Sequence, residues 1–176
     1  MSKKQQDKKK NGDSSNRNSR IALQGILVAL AMVLSYLESL VPVMAFVPGV
    51  KLGLANLVTM LAFEKKGIRF AVEISVTRIL LSGILFGNPL VIVYSLAGAF
   101  CSLLVMALAK KMRIFGVVGI SVLGGVFHNA GQLLVASILL ENANIFYYLA
   151  VLGISGTIAG CVIGFLTVYF IKNIKI

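Results

Sequence analysis

Long apolar runs separated by short polar connections make up the chain from residue 21 onwards. The runs cover residues 21–41, 49–63, 68–86, 89–109, 114–140 and 145–171. Because a lipid bilayer requires roughly 20 apolar residues for each helical crossing, this pattern predicts an all-α integral membrane bundle of six transmembrane helices. The connections are short enough to join antiparallel neighbours.

The second apolar run is shorter than the others. Pro48 and Gly49 interrupt its start, and residues 49–63 would form only about 22 Å of helix. Non-helical backbone at membrane depth is tolerated only where it is buried in protein or lines a cavity. We therefore expect a short second helix that is preceded by a pocket-lining loop at residues 47–52, from which Lys51 points a cation into the pocket.

Composition agrees with a membrane location. Hydrophobic residues make up 58% of the chain and charged residues 13%, and the mean hydropathy is +0.92. Residues 1–20 are different, since they are rich in Lys, Asn and Ser and contain no apolar residue except Met1. Such a segment buries too little surface to fold on its own, so we expect a disordered basic cytoplasmic tail at 1–20 and a six-helix membrane domain at 21–176.

The basic residues predict how the bundle is oriented. Of the 17 Lys and Arg residues, 15 lie in the first 20 residues, in the connections near 65–69 and 110–113, or after residue 171. Lys and Arg concentrate on the cytoplasmic side of membrane proteins, so both termini are predicted to be cytoplasmic in a multi-pass protein of the cell membrane. The net charge of +11 therefore indicates topology and contact with membrane lipid rather than nucleic acid.

Polar and ionisable residues within the apolar runs are the candidates for substrate binding, because each is costly in a membrane. They are Glu38, Lys51, Asn56, Arg78, His128, Asn129 and Gln132. Structural roles are the alternatives for several of them. Glu38 and Lys51 could pair, His128 could form an interhelical hydrogen bond, and Arg78 could be satisfied either by carbonyls and hydroxyls or by an anionic group of a substrate.

Other residues suggest structural roles. Glu73 is close in sequence to Lys65, Lys66 and Arg69, and we expect it to pair with one of them. Small residues let membrane helices approach closely. They occur at every fourth position of the last helix, and as Gly25 and Ala29 on the first. On both helices they favour either contact within the bundle or docking of a second membrane protein. The small residues of the last helix are Gly156, Gly160 and Gly164.

Catalysis is not expected from this sequence. It contains no P-loop, no close pair of acidic residues that could hold magnesium on a diphosphate, and no nucleophile next to a base. Cys101 and Cys161 lie in apolar runs without neighbouring metal ligands, so we interpret them as packing residues. We therefore predict that the chain is not an enzyme and has no catalytic residues, metal site or cofactor.

Three stretches resemble a known family. They are Pro48-Gly-Val-Lys-Leu-Gly-Leu-Ala-Asn-Leu-Val-Thr-Met60, preceded by Ala31-Met-Val-Leu-Ser-Tyr-Leu-Glu38, and the later Val126-Phe-His-Asn-Ala-Gly-Gln132. Over residues 21–176 the chain resembles the Gx transporter family, also called heptaprenyl diphosphate synthase component I. That family is similar to the substrate-binding S components of energy-coupling-factor vitamin transporters. This similarity implies six helices, a lid loop after the first helix and a pocket on the outer side.

The resemblance implies a function and a partner. Gly53 and Asn56 stand where S components often carry acidic residues, so no particular vitamin is implied. Gly25 and Ala29 match the small residues that face the coupling protein in such components. We expect the chain to capture a small organic anion from outside and to work with a transmembrane coupling protein and paired ATPases. The family's second name implies the alternative, an accessory membrane subunit in isoprenoid or quinone metabolism or in membrane electron transfer.

Overall fold

The computed structural model describes residues 3–40 and 53–173, which are helical except for short connections. The helices are α1 (Lys3–Leu40), α2 (Leu54–Lys66), α3 (Ile68–Phe86), α4 (Pro89–Met112), α5 (Val117–Leu139) and α6 (Leu149–Asn173), and a short 3₁₀ helix, Ala143–Tyr148, precedes α6. Apart from the start of α1, these limits follow the apolar runs closely. The predicted all-α fold is confirmed for the part of the chain that is described.

Helix α1 extends well beyond the apolar segment. It begins at Lys3, so residues 3–20 are helical, whereas composition predicted disorder. Lys, Gln and Arg are good helix formers, and extending an existing helix avoids the cost of nucleating a new one. The prediction considered only the lack of apolar surface and not the continuation of the membrane helix. The division of the chain into a tail and a membrane domain remains a prediction.

Helix α2 is short, as predicted, but it lies deep in the bundle. Its 13 residues span roughly 20 Å. All residues from Ala55 to Phe63 are buried except Asn56. It packs against α1, α3 and α6. The predicted loop at 47–52 and its Lys51 lie outside the described residues, so that part of the prediction has no structural counterpart here.

Helices α5 and α6 are antiparallel and very close together. A Cβ atom on Gly160 would lie 2.6 Å from the Cα atom of Val122, and one on Gly164 would lie 2.8 Å from that of Val118. Gly156 likewise contacts the backbone of α5. The small residues of α6 therefore serve contact within the bundle, which was one of the two interpretations of their spacing.

Among the described residues, two ion pairs connect four of the helices. Lys110 at the end of α4 lies 2.9 Å from Glu64 near the end of α2. Arg20 of α1 lies 3.0 Å from Glu73 of α3, and Gln24 also donates to Glu73. The expected pairing of Glu73 with Lys65, Lys66 or Arg69 is therefore wrong, because the packing of α1 on α3 brings Arg20 closer to the carboxylate.

Four helical segments are long and apolar enough to cross a membrane: Arg17–Glu38, Pro89–Met112, Val117–Leu139 and Asn144–Asn173. Helices α2 and α3 are not among these four segments. Helix α2 has only 13 residues, and α3 carries Arg69, Glu73 and Arg78 within 19 residues. The chain is thus a multi-pass membrane protein. Six crossings with cytoplasmic termini remain the prediction from the sequence.

Candidate functional site

All six α-helices contribute residues to one cavity, which we call the central cavity and which has a volume of about 60 Å³. Six of the seven candidate binding residues line it: Glu38, Asn56, Arg78, His128, Asn129 and Gln132. The seventh, Lys51, lies outside the described residues. The helices thus bring together positions that are far apart in the sequence, while the role of these positions in binding remains a prediction.

Arg78 of α3 extends a guanidinium group into the central cavity. Its Nη1 donates to Oγ of Ser35 at 3.4 Å and its Nη2 donates to Oδ1 of Asn56 at 3.3 Å, both long hydrogen bonds. Nε is buried and has no hydrogen-bond partner among the described residues. Hydroxyl and amide oxygens therefore satisfy Arg78 only in part, and a bound anionic group stays open as the alternative.

Glu38 connects α1 to the start of α2. One of its carboxylate oxygens accepts a hydrogen bond from the backbone N–H of Gly53 at 2.5 Å, and the residue is buried. Gly53 has a φ of +75°, a left-handed conformation that favours glycine. A Cβ atom there would also lie 3.1 Å from Cδ1 of Ile163. The backbone conformation and the nearby Ile163 thus explain a glycine at position 53, and the pairing of Glu38 with Lys51 remains a prediction.

Helix α5 supplies an imidazole and two amides to the same cavity. Nε2 of His128 and Nε2 of Gln132 are 3.2 Å apart, one helical turn from each other. Asn129 donates to the carbonyl oxygen of Leu152 at 2.8 Å and to Oγ of Ser155 at 3.3 Å. Asn129 therefore holds α5 to α6 besides lining the cavity.

A second, deep cavity of about 40 Å³ adjoins the central one and shares Asn56, Gly125, His128 and Ile163 with it. Four hydroxyl side chains also line it, namely Thr59, Ser75, Ser102 and Ser121. The hydroxyl of Thr59 is buried without a hydrogen-bond partner among the described residues. Cavities of these sizes accommodate a few water molecules or one small polar group.

Two residues of the site were not predicted. Ser35 accepts a hydrogen bond from Arg78, and Ser95 of α4 lines the central cavity. Ser35 precedes Glu38 by three positions and therefore lies on the same helical face, a signal that could have identified it. No comparable signal marks Ser95 among the serines of the other helices.

Gly25 and Ala29, the candidate docking residues, lie away from the central cavity. Both line an open groove of about 810 Å³ between α1 and α3. A Cβ atom on Gly25 would have no neighbour within 4 Å, so this glycine does not serve helix packing within the described residues. The groove is accessible to a partner, and docking there remains a prediction.

The fold and the site define a multi-pass α-helical membrane protein with a buried polar cavity centred on an arginine. A sequence model of the family described as heptaprenyl diphosphate synthase component I matches residues 27–170, and the chain belongs to this family. The predicted family is thereby confirmed. The family is a membrane-associated, non-catalytic component, in agreement with the prediction that the chain is not an enzyme. Comparison with curated proteins and with solved structures found no match.

Proposed function

We propose that this protein is the substrate-binding membrane subunit of a transporter and that it captures a small organic anion in the central cavity. The observation that carries the proposal is the incompletely paired guanidinium group of Arg78, which lies inside an apolar bundle. A cation in such surroundings is costly unless an anion or several hydrogen-bond acceptors face it. Glu38 lines the same cavity and attracts Arg78 electrostatically, but its carboxylate accepts a hydrogen bond from the N–H of Gly53 and forms no ion pair with Arg78 among the described residues. A carboxylate bound to Arg78 would supply the missing acceptors.

The neighbouring side chains suit the polar part of such a ligand. Asn56 and Gln132 contribute amide groups, and His128 contributes an imidazole, to the same cavity as Arg78. The volume of about 60 Å³ is far below the 300–1,000 Å³ or so that is usual for small-molecule pockets. The cavity therefore fits a carboxylate-sized group, and a larger ligand requires movement of the helices or of the side chains that line the site.

Transport would depend on a partner. The sequence has no P-loop, so ATP hydrolysis must come from separate ATPases, which a coupling protein would link to this subunit. The open groove that contains Gly25 and Ala29 is the proposed contact surface for the coupling protein. Toppling or rocking of the subunit would then move the anion from the outer to the cytoplasmic side.

The family description supports a second candidate function. It names a component of heptaprenyl diphosphate synthase, so the chain could be an accessory subunit that holds a soluble prenyl synthase at the membrane. The two candidates differ in their partners rather than in their fold. The central cavity favours the first, because an anchoring role alone does not require a buried arginine.

Copurification distinguishes the two candidates. The full chain, tagged at its C-terminus and extracted from its native membrane in a mild detergent, is isolated and its associated proteins are identified by mass spectrometry. We expect a transmembrane coupling protein together with paired ATPases. Recovery of a soluble prenyl synthase without those proteins would overturn the transporter role and support the accessory role. A variant with Ala29→Leu, which narrows the groove, should lose the coupling protein, whereas Ile26→Leu, on the same helix but outside the groove, should retain it.

A further inference from the structure

Three basic residues from three helices converge at the end of the bundle that the charge distribution assigns to the cytoplasm. Arg20 of α1, Lys66 of α2 and Arg69 of α3 line a cleft of about 470 Å³, together with Ser19, Leu23 and Phe70. No acidic residue is among the described residues that line it. We call this cleft the basic cleft. Its charge favours an anion, and Ser19 adds a hydroxyl that can donate a hydrogen bond.

The basic cleft borders the open groove between α1 and α3, because Arg20 lines both. Towards the membrane interior the groove walls are apolar, and they include Val28, Met32, Ile74 and Leu81. At its basic end, Glu73 is paired with Arg20 and Gln24. An elongated apolar surface thus begins directly beside a cluster of cations.

We propose that this surface is a specific site for an anionic phospholipid of the inner leaflet, with the phosphate in the basic cleft and an acyl chain in the groove between α1 and α3. Clusters of Lys and Arg between membrane helices on the cytoplasmic side attract anionic head groups. The cations of the basic cleft match the phosphate of such a lipid, and the apolar groove beside them matches its acyl chain. A free phosphate would use the cleft alone, so an effect of the groove on binding distinguishes the lipid from it.

The groove is also the surface assigned above to a coupling protein. The lipid therefore occupies the groove of the free subunit, and a docking partner would displace it. For this reason the site is tested with the full chain purified without partners. The outcome does not depend on the central cavity or on the identity of the transported anion.

Native mass spectrometry measures the lipid directly. The full chain is incubated with phosphatidylglycerol or with phosphatidylcholine, and retained lipid is counted after controlled removal of detergent. The double variant Lys66→Gln/Arg69→Gln removes two cations of the basic cleft. Its matched control is Lys111→Gln/Arg113→Gln, which removes two exposed cations at the end of α4, outside the cleft. We expect the first double variant to weaken phosphatidylglycerol binding roughly 30-fold and the control to bind as the wild type does.

The groove is tested separately. Ala29→Phe places a large side chain in it, whereas Ile26→Phe places the same side chain on α1 outside it. Only Ala29→Phe should reduce lipid retention. The proposal would be overturned if phosphatidylcholine were retained as well as phosphatidylglycerol, or if the two double variants lost the same amount of lipid. It would also be overturned if inorganic phosphate alone competed with the lipid and Ala29→Phe had no effect. The last result would assign the cleft to a soluble anion instead.

Discussion

Side chains inside this bundle differ in how completely they are paired, and the difference separates structural roles from binding roles. Asn129 has two acceptors on α6 at 2.8 and 3.3 Å, so its amide nitrogen is fully used by the fold. Arg78 has two longer hydrogen bonds, and its Nε has no partner among the described residues. A residue of the first kind stabilises the protein, whereas one of the second kind still has donors for a ligand.

Replacement of Asn129 tests this distinction. Asn129→Leu removes the hydrogen bond to the carbonyl of Leu152, and we expect it to lower the free energy of unfolding by about 1 kcal/mol, the usual size of an interhelical hydrogen bond in a membrane protein. The measurement is unfolding of the purified protein in mixed micelles, followed by circular dichroism.

Thr157→Val is the matched control, because the hydroxyl of Thr157 donates at 2.9 Å to the carbonyl of Gly153 within its own helix. We expect this exposed change to alter stability by less than about 0.5 kcal/mol. If both variants were equally stable, Asn129 would not hold α5 to α6, and its amide would be free for a ligand.

Among the described helices, α5 and α6 pack closely together, because glycines stand where their backbones meet. Lipid provides no hydrophobic driving force between helices, so close van der Waals contact is a main source of their association. The pair supplies His128, Asn129, Gln132 and Gly156 to the central cavity. Its rigidity therefore determines the position of one wall of the site.

Two alanine substitutions on α6 measure how much this contact matters. In Gly160→Ala the new methyl group would lie 2.6 Å from Cα of Val122 and 2.8 Å from the carbonyl oxygen of Ser121, so the helices must separate. We expect a loss of about 1–3 kcal/mol in stability. The midpoint of thermal unfolding in detergent reports the change.

Gly153→Ala makes the same substitution two turns earlier on α6, where the methyl group would have no neighbour within 4 Å. We expect its stability to equal or slightly exceed that of the wild type, since alanine favours helices more than glycine does. Equal losses from the two substitutions would show that helix propensity rather than close packing explains the glycines.

Considered as a whole, the molecule shows which properties the sequence determines locally. Apolar runs predicted the helix limits, because the length of a membrane helix follows from the thickness of the bilayer. The members of the central cavity could be predicted for a similar reason, since polar residues in a membrane helix face the interior of the bundle. Both inferences require only the position of a residue along its own helix.

Properties that depend on how helices pack were not predictable in this way. The partner of Glu73 proved to be Arg20, 53 positions away, and not a neighbour in sequence. The contact of Glu38 with the backbone of Gly53 and the small volume of the central cavity likewise depend on tertiary packing. The identity of a ligand depends on the same geometry.

The central claim is that Arg78 binds the anionic group of a ligand, and native mass spectrometry of the gently purified full chain tests it most directly. Wild-type protein should retain a small organic anion that is released on denaturation. Arg78→Gln should lose it, and Lys51→Gln should weaken its retention. Arg113→Gln, which removes an exposed arginine at the end of α4, should retain it. Equal amounts of the anion on folded wild-type and Arg78→Gln protein would contradict the claim. It would also be contradicted if the wild type retained no anion at any concentration of the membrane extract that supplies it.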